Sequence, residues 1–280
     1  MEGSMQMQTG EKEQREIIDF HTHTFPDKIV SKTIALLEQK ASIAAKSDGT
    51  AKGLLASMDR AGVSMSVILP VVTRPEQFQT VNNCAAQINE EYKGRLLSFG
   101  GIHPGSQNYK QELHYIKSLG LKGIKLHPDY QGTMFDVKSY RNIIDYASEL
   151  GFVIVTHAGV DIGMPTPVHC PPEKALSVIE EVRPPRLVLA HMGGWQQWVR
   201  VEELLAGTDV YFDCAFCADY LSAEQFERIV RKHGADRILF ATDSPWEDPR
   251  QTIHWIESTS LTEEEKAKLY AGNAHTLLRN

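Results

Sequence analysis

This chain has few cysteines, no long apolar run and no basic tract. Cysteine occurs only at positions 84, 170, 214 and 217 of 280, too sparse for a disulfide scaffold, and a reducing compartment is expected. The longest apolar stretches, such as Val67–Val72 and Phe152–Val155, fall far short of the roughly 20 residues that cross a bilayer. No membrane partner is expected. Met1–Arg15 is polar, mixed in charge and without the apolar centre of a signal peptide. It reads as a leader (1–15) ahead of one domain (16–280), in a cytoplasmic protein. Lys and Arg number 29 against 36 Asp and Glu, a net charge of −7 with no cationic run to track phosphates. Nucleic acid is therefore not an expected partner, a small molecule is, and homo-oligomerisation is left open. No Gly/Ser linker, low-complexity tract or solenoid repeat divides the chain after residue 16.

What is present is an ordinary globular composition, 42% hydrophobic and 23% charged, enough for a sizeable core. Short runs rich in β-branched residues recur at Ile17–His23, Val63–Val72, Leu96–His103, Gly123–His127, Phe152–His157, Leu187–His191, Val210–Ala215 and Ile238–Asp243. Between them, sets such as Ile143, Ile144, Ala147 and Leu150, or Leu176, Ile179 and Val182, carry helical spacing. Eight apolar strands each followed by a helix predict a parallel sheet closed into a (β/α)8 TIM barrel of α/β class. A doubly wound open sheet is the rival, but it does not predict the polar pattern at the strand ends. Two connections are long, 24–49 and 159–171. The first contains Ile29–Ala45 with some helical spacing, either a lid-like insertion or an extra helix on the rim.

The chemistry gathers at one end of these strands. In Ile17–His23, alternation turns Asp19, His21 and His23 to one side. Two imidazoles two residues apart can grip one ion. Further runs end in His157, His191 and Asp243, at the C-terminal face where barrel active sites assemble. Five such coincidences are harder to explain as separately satisfied rim residues than as one site. Imidazoles with carboxylate oxygen suit zinc, manganese or iron(II), and such an ion lowers the pKa of bound water toward neutrality. Hydrolysis is the simplest chemistry to expect.

The ordered set Ile18-Asp19-Phe20-His21-Thr22-His23, Thr156-His157-Ala158-Gly159, His191-Met192-Gly193-Gly194 and Ala241-Thr242-Asp243-Ser244-Pro245-Trp246 resembles the amidohydrolase superfamily. It is most similar to the amidohydrolase-related branch that includes aminocarboxymuconate semialdehyde decarboxylase-like enzymes. The resemblance implies that His21, His23, His157 and Asp243 bind one divalent metal, most simply zinc, and that His191 handles a proton or orients substrate. Lys125, which alternates with His127 near the mouth, also resembles the lysine that is carboxylated and bridges two metals in ureases and dihydroorotases. The expectation here is an unmodified Lys125 facing Asp19, Asp213 or a substrate carboxylate. A carboxylated Lys125 would make His157 and His191 ligands of a second ion.

Arg74, His103, His127 and Trp246 follow strands on the active face and are, with Lys125, the expected substrate contacts. Arg74 and Lys125 together favour an anionic ligand. Cys214 and Cys217 form a single C-x2-C with no second pair and read as packed side chains. His114, His233, His254 and His275 fall in helical segments and are expected to face solvent. The function expected is a metal-dependent hydrolase with Asp243 and His191 as catalytic residues. The alternatives are a nonoxidative decarboxylase using the same ligands, and a silent barrel that keeps the metal for structure or ligand sensing.

Overall fold

Val153–Thr156 reads Val-Ile-Val-Thr and is buried throughout, because β-branched side chains stiff at χ1 fit a strand covered on both faces. A computed structural model describes residues 15–279, and the rest of the expected leader lies outside the described residues. Arg15 pairs with Glu257 at 2.6 Å. The strands are β1 (Ile18–Thr22), β2 (Met65–Ile68), β3 (Leu96–Ser98), β4 (Gly100–Gly101), β5 (Gly123–Leu126), β6 (Val153–Thr156), β7 (Leu187–Leu189), β8 (Tyr211–Asp213) and β9 (Ile238–Leu239). They pair in parallel in sequence order, β1 to β3 and β4 to β9.

Only Phe99 separates β3 from β4, so these are halves of one stave. The ends meet where Phe20 N–H donates to Phe240 O at 2.9 Å and Asp243 N–H to His21 O at 2.8 Å. The nine segments therefore make eight staves of a closed barrel, as the sequence predicts. The helices between them are α1 (Val30–Ala41), α2 (Ala51–Ala61), α3 (Phe78–Glu91), α4 (Tyr109–Ser118), α5 (Lys138–Glu149), α6 (Pro172–Val182), α7 (Trp198–Leu204), α8 (Ala223–His233), α9 (Pro249–Glu257), α10 (Glu263–Ala267) and α11 (Asn273–Leu278).

Alternation along the staves builds two cores. Phe20, Val67, Phe99, Val153, Val155, Val188 and Leu239 fill the barrel, while Ile68, Ile124, Leu126, Ile154 and Leu189 pack outward with the helices. In α5, Ile143, Ile144 and Ala147 are the buried stripe, matching the sequence spacing. The N-terminal end of the barrel is covered by the C-terminal helix α11: Lys122, ahead of β5, donates to Leu278 O, and Arg186, ahead of β7, to Arg279 O.

Two segments roof the opposite end. Residues 24–49 carry the rim helix α1 and are tied down where Lys46 N–H donates to Pro245 O. Residues 159–171 form a closed loop, pinned by an antiparallel bridge between Gly159 and Cys170. Gly159 has φ +85°, and a Cβ there would lie 2.1 Å from Trp195 N, so only glycine fits. His233 departs from expectation. It is buried, its ring stacks on Phe212 and its Nε2 bonds Val210 O, because α8 turns it onto β8 rather than to solvent. Cys214 and Cys217 are buried and free, packed as expected.

Candidate active site

The pairing of β1 with β2 shifts register between Asp19 and Thr22, and this irregularity resets the alternation. Phe20 belongs to the barrel interior, yet the next residue, His21, also faces the mouth, where Lys125 Nζ lies 3.0 Å from its Nε2. Asp19 consequently does not join the histidines. Its carboxylate accepts from Thr242 Oγ1 at 2.6 Å and Thr242 N–H at 3.1 Å, locking β1 to the last stave. Burial holds that carboxyl up at about 7, against the hydrogen bonds from Thr242 and His21.

His21, His23 and Asp243 come together. Asp243 sits at φ +61°, a conformation uncommon for a residue with a Cβ and frequent at functional sites. His21 Nε2 lies 3.2 Å from His23 Nε2 and 3.4 Å from Asp243 Oδ1, and His23 Nε2 lies 3.0 Å from the same oxygen. The other ring nitrogens fix the tautomers. His23 Nδ1 can only donate to Leu69 O at 2.9 Å, and His21 Nδ1 meets the buried Asp213 Oδ2 at 2.9 Å. Both Nε2 atoms therefore present lone pairs, which converge on each other and on a carboxylate. Bonds of about 2.1 Å to one ion would place neighbouring ligands roughly 3.0 to 3.4 Å apart, so the donor set fits a divalent cation.

Asp213 also accepts from His191 N–H at 2.9 Å and Ala215 N–H at 3.1 Å, a carboxylate that orients a ligating imidazole. Lys125 is buried, which pulls its ammonium down to about 8 against the pull of Asp213 and Asp243. Among the described residues no carboxylate reaches it within ion-pairing distance, so Asp19 is excluded as its partner and Asp213 acts from farther away.

His157 stands apart from this trio. Its Nδ1 lies 3.0 Å from His191 Nε2, and since His191 Nδ1 donates to Ala215 O at 2.8 Å, the shared proton belongs to His157. The far edge of its ring faces a second group, His127, His157 and Asp161. There, Tyr130, His127 and His157 form a parallel stack with ring centroids 3.9 and 4.4 Å apart, and Asp129 is held by His169 Nδ1 at 2.9 Å. Burial pushes Asp161 up to about 6, with Asp129 adding to it, and lowers His127 and His157 well below the usual histidine range.

His103 stays on the half-buried rim, its Nδ1 accepting from Gly105 N–H. Arg74 is exposed, and Trp246 is half-buried against the outer core. Sequence reasoning missed Asp129, Tyr130 and Asp161. Each had a signal: the first two follow His127-Pro128 at a strand end, and Asp161 lies four residues beyond His157 in a mouth loop.

A family model described as amidohydrolase matches residues 18–279. A 46-residue stretch is 46% identical to the gamma-resorcylate decarboxylase of Polaromonas sp., covering 16% of this chain and only 14% of that protein's length. Among solved structures, a 5-carboxyvanillate decarboxylase from Novosphingobium aromaticivorans, complexed with manganese and 4-hydroxy-3-methoxy-5-nitrobenzoic acid, superposes with a TM-score of 0.73 at 14% identity, covering 98% of this chain and 99% of the other. A 2,6-dihydroxybenzoate decarboxylase complexed with 2,6-dihydroxybenzoate gives 0.70 at 16% identity over 94% and 99%. Structures at such identities share the barrel fold.

These findings correct the expected hydrolase, since the characterised proteins that this chain resembles are decarboxylases. Zinc is likewise unsupported, and a divalent metal is the statement that stands. No helix among the described residues is long and apolar enough to cross a membrane. With the model matched over nearly the whole chain, the protein is an enzyme belonging to the amidohydrolase family.

Proposed function

We propose that this enzyme is a nonoxidative decarboxylase of a small hydroxylated aromatic acid, working with one divalent ion, manganese, held by His21, His23 and Asp243. The observation that carries the reading is the convergence of their three electron-pair donors within 3.4 Å with no proton between the imidazoles, on a barrel shared with decarboxylases of hydroxybenzoates. His157 would serve as a fourth ligand once its Nδ1 hydrogen, now directed at His191 Nε2, moves to Nε2. Four free cysteines, none paired, support a cytoplasmic setting.

The ion, when bound, supplies Lewis acidity toward the oxygens of the acid. Asp213 and Leu69 O keep the His21 and His23 lone pairs aimed at it. Lys125 and His127 orient the acid from below and beside it, and Arg74, His103 and Trp246 form the outer wall. In the reaction the ring–carboxylate bond breaks, its electron pair stays on the ring carbon, and carbon dioxide leaves. A proton must reach that carbon. The Asp243 carboxylate takes it from the substrate hydroxyl or water and passes it on, while His191 presents Nε2 to the same space.

The test incubates manganese-loaded protein with 2,6-dihydroxybenzoate, 5-carboxyvanillate and a panel of amides and esters. Carbon dioxide release that stops on chelation is expected, and amide or ester hydrolysis without carbon dioxide would sink the reading. One observation favours a second arrangement: His157 Nδ1 and His191 Nε2, 3.0 Å apart, would take a second ion if Lys125 were carboxylated. One metal per chain in protein prepared with bicarbonate and excess manganese supports the mononuclear site; two overturn it. Lys125→Met should weaken substrate binding more than metal binding.

A further inference from the structure

The second group is not a weaker copy of the first. Asp129 is fully buried, and His157 and Asp161 are more than nine-tenths buried, yet Asp129 Oδ2, His157 Nε2 and Asp161 Oδ1 have no hydrogen-bond partner. Asp129 Oδ2 lies 3.9 Å from His157 Nε2. The carboxylate oxygens are acceptors, and His157 Nε2 is an acceptor while its hydrogen is on Nδ1 and a donor once Nδ1 serves the ion. One proton faces them in either state. His127 Nδ1 accepts from Tyr130 N–H at 3.3 Å, which puts the ring hydrogen on Nε2, 3.6 Å from Asp161 Oδ2.

That hydrogen argues against a metal, because a cation at the centre would confront His127 Nε2–H. Two buried carboxylates without a cation argue against an anionic substituent. A group that brings an O–H and can also accept one hydrogen bond meets this mixed set, giving its hydrogen to a carboxylate oxygen and taking one from an imidazole edge. We propose that Asp161, Asp129 and the edges of His127 and His157 form a subsite that binds a hydroxyl substituent of the substrate whose carboxylate is at the metal. His157 joins the two sites, with Nδ1 toward His191 and Nε2 toward the subsite, so one small ring can span them. This deepens the decarboxylase reading and rests on it for the position of the carboxylate. Sites built to hydrogen-bond a substrate hydroxyl reject the analogue that lacks it, because their own buried groups are left unpaired.

The experiment is equilibrium binding of benzoate and 2,6-dihydroxybenzoate to manganese-loaded protein, in the wild type and in Asp161→Asn, with bound manganese per chain measured in both. The dihydroxy compound should bind wild type at least tenfold tighter. The ratio of the two dissociation constants should fall several-fold in Asp161→Asn, which replaces one acceptor oxygen with an N–H donor. Asp129→Asn reports the same ratio if Asp161→Asn does not fold. An unchanged ratio, a wild-type ratio near one, or no binding of either compound overturns the subsite and leaves these groups to water. Loss of manganese in Asp161→Asn also overturns it, by making Asp161 an ion ligand. Carbon dioxide release is scored separately: its absence with an intact ratio sinks the decarboxylase reading and leaves the subsite standing.

Discussion

Two groups of the same composition, two histidines and an aspartate, sit side by side at the barrel mouth and differ in every property that matters for chemistry. In His21, His23 and Asp243 the outer ring nitrogens are committed to Asp213 and Leu69 O, so lone pairs face inward, toward a carboxylate oxygen 3.0 Å from His23 Nε2. In His127, His157 and Asp161 a backbone N–H takes the His127 lone pair, a hydrogen faces inward, and Asp161 is pushed up to about 6. Residue type sets what a cluster could bind. The partners behind each ring decide what it does bind, because they choose the tautomer.

The comparison breaks most readily at its strongest member. Asp243→Asn should abolish stable metal binding and lower turnover by more than about 10³-fold, since it removes both a ligand and the proposed proton carrier; metal content by elemental analysis and carbon dioxide release check it. His191→Asn should keep the metal and lower turnover by about 10²-fold. Metal lost from that variant would instead make His191 a ligand and favour two ions. Asp213→Asn leaves all three donors in place but loosens the His21 orientation, so metal affinity should fall by about 10- to 100-fold, measured by competition with a chelator.

The smallest effect is on stability and tests the second group. Asp161 has a folded pKa raised from 3.8 to about 6, so the stability it confers is present below pH 4 and lost as pH rises through 6. Against Asp161→Asn the wild type should thus lose up to about 3 kcal/mol across that window. The variant should melt several degrees higher at pH 7.5, with the gap closing toward pH 4. Equal melting temperatures at both pH values would mean that Asp161 ionises freely.

Much was legible in the sequence for a definite physical reason. A strand buried on both faces demands an apolar run, and a run that ends in His or Asp announces a mouth residue, so the eight staves and His21, His23, His127, His157, His191 and Asp243 could be placed from period and punctuation alone. Alternation failed at Asp19, because one register shift in β1 sends Phe20 and His21 inward in succession and turns Asp19 onto Thr242; such a shift is a property of the paired strands, and nothing in Ile18–Thr22 by itself encodes it. It failed again at His157, which the strand pattern brings to the mouth but whose two edges are assigned by His191 and Asp129, residues 34 positions downstream and in a different loop. Asp161, Asp129 and Tyr130 belong to connections whose paths depend on closures such as Gly159 against Trp195, and loop paths are set by the scaffold that pins them. The sequence determined the barrel and which end is active; only the tertiary structure decided which nitrogen of each histidine carries its hydrogen, and so which cluster can hold an ion.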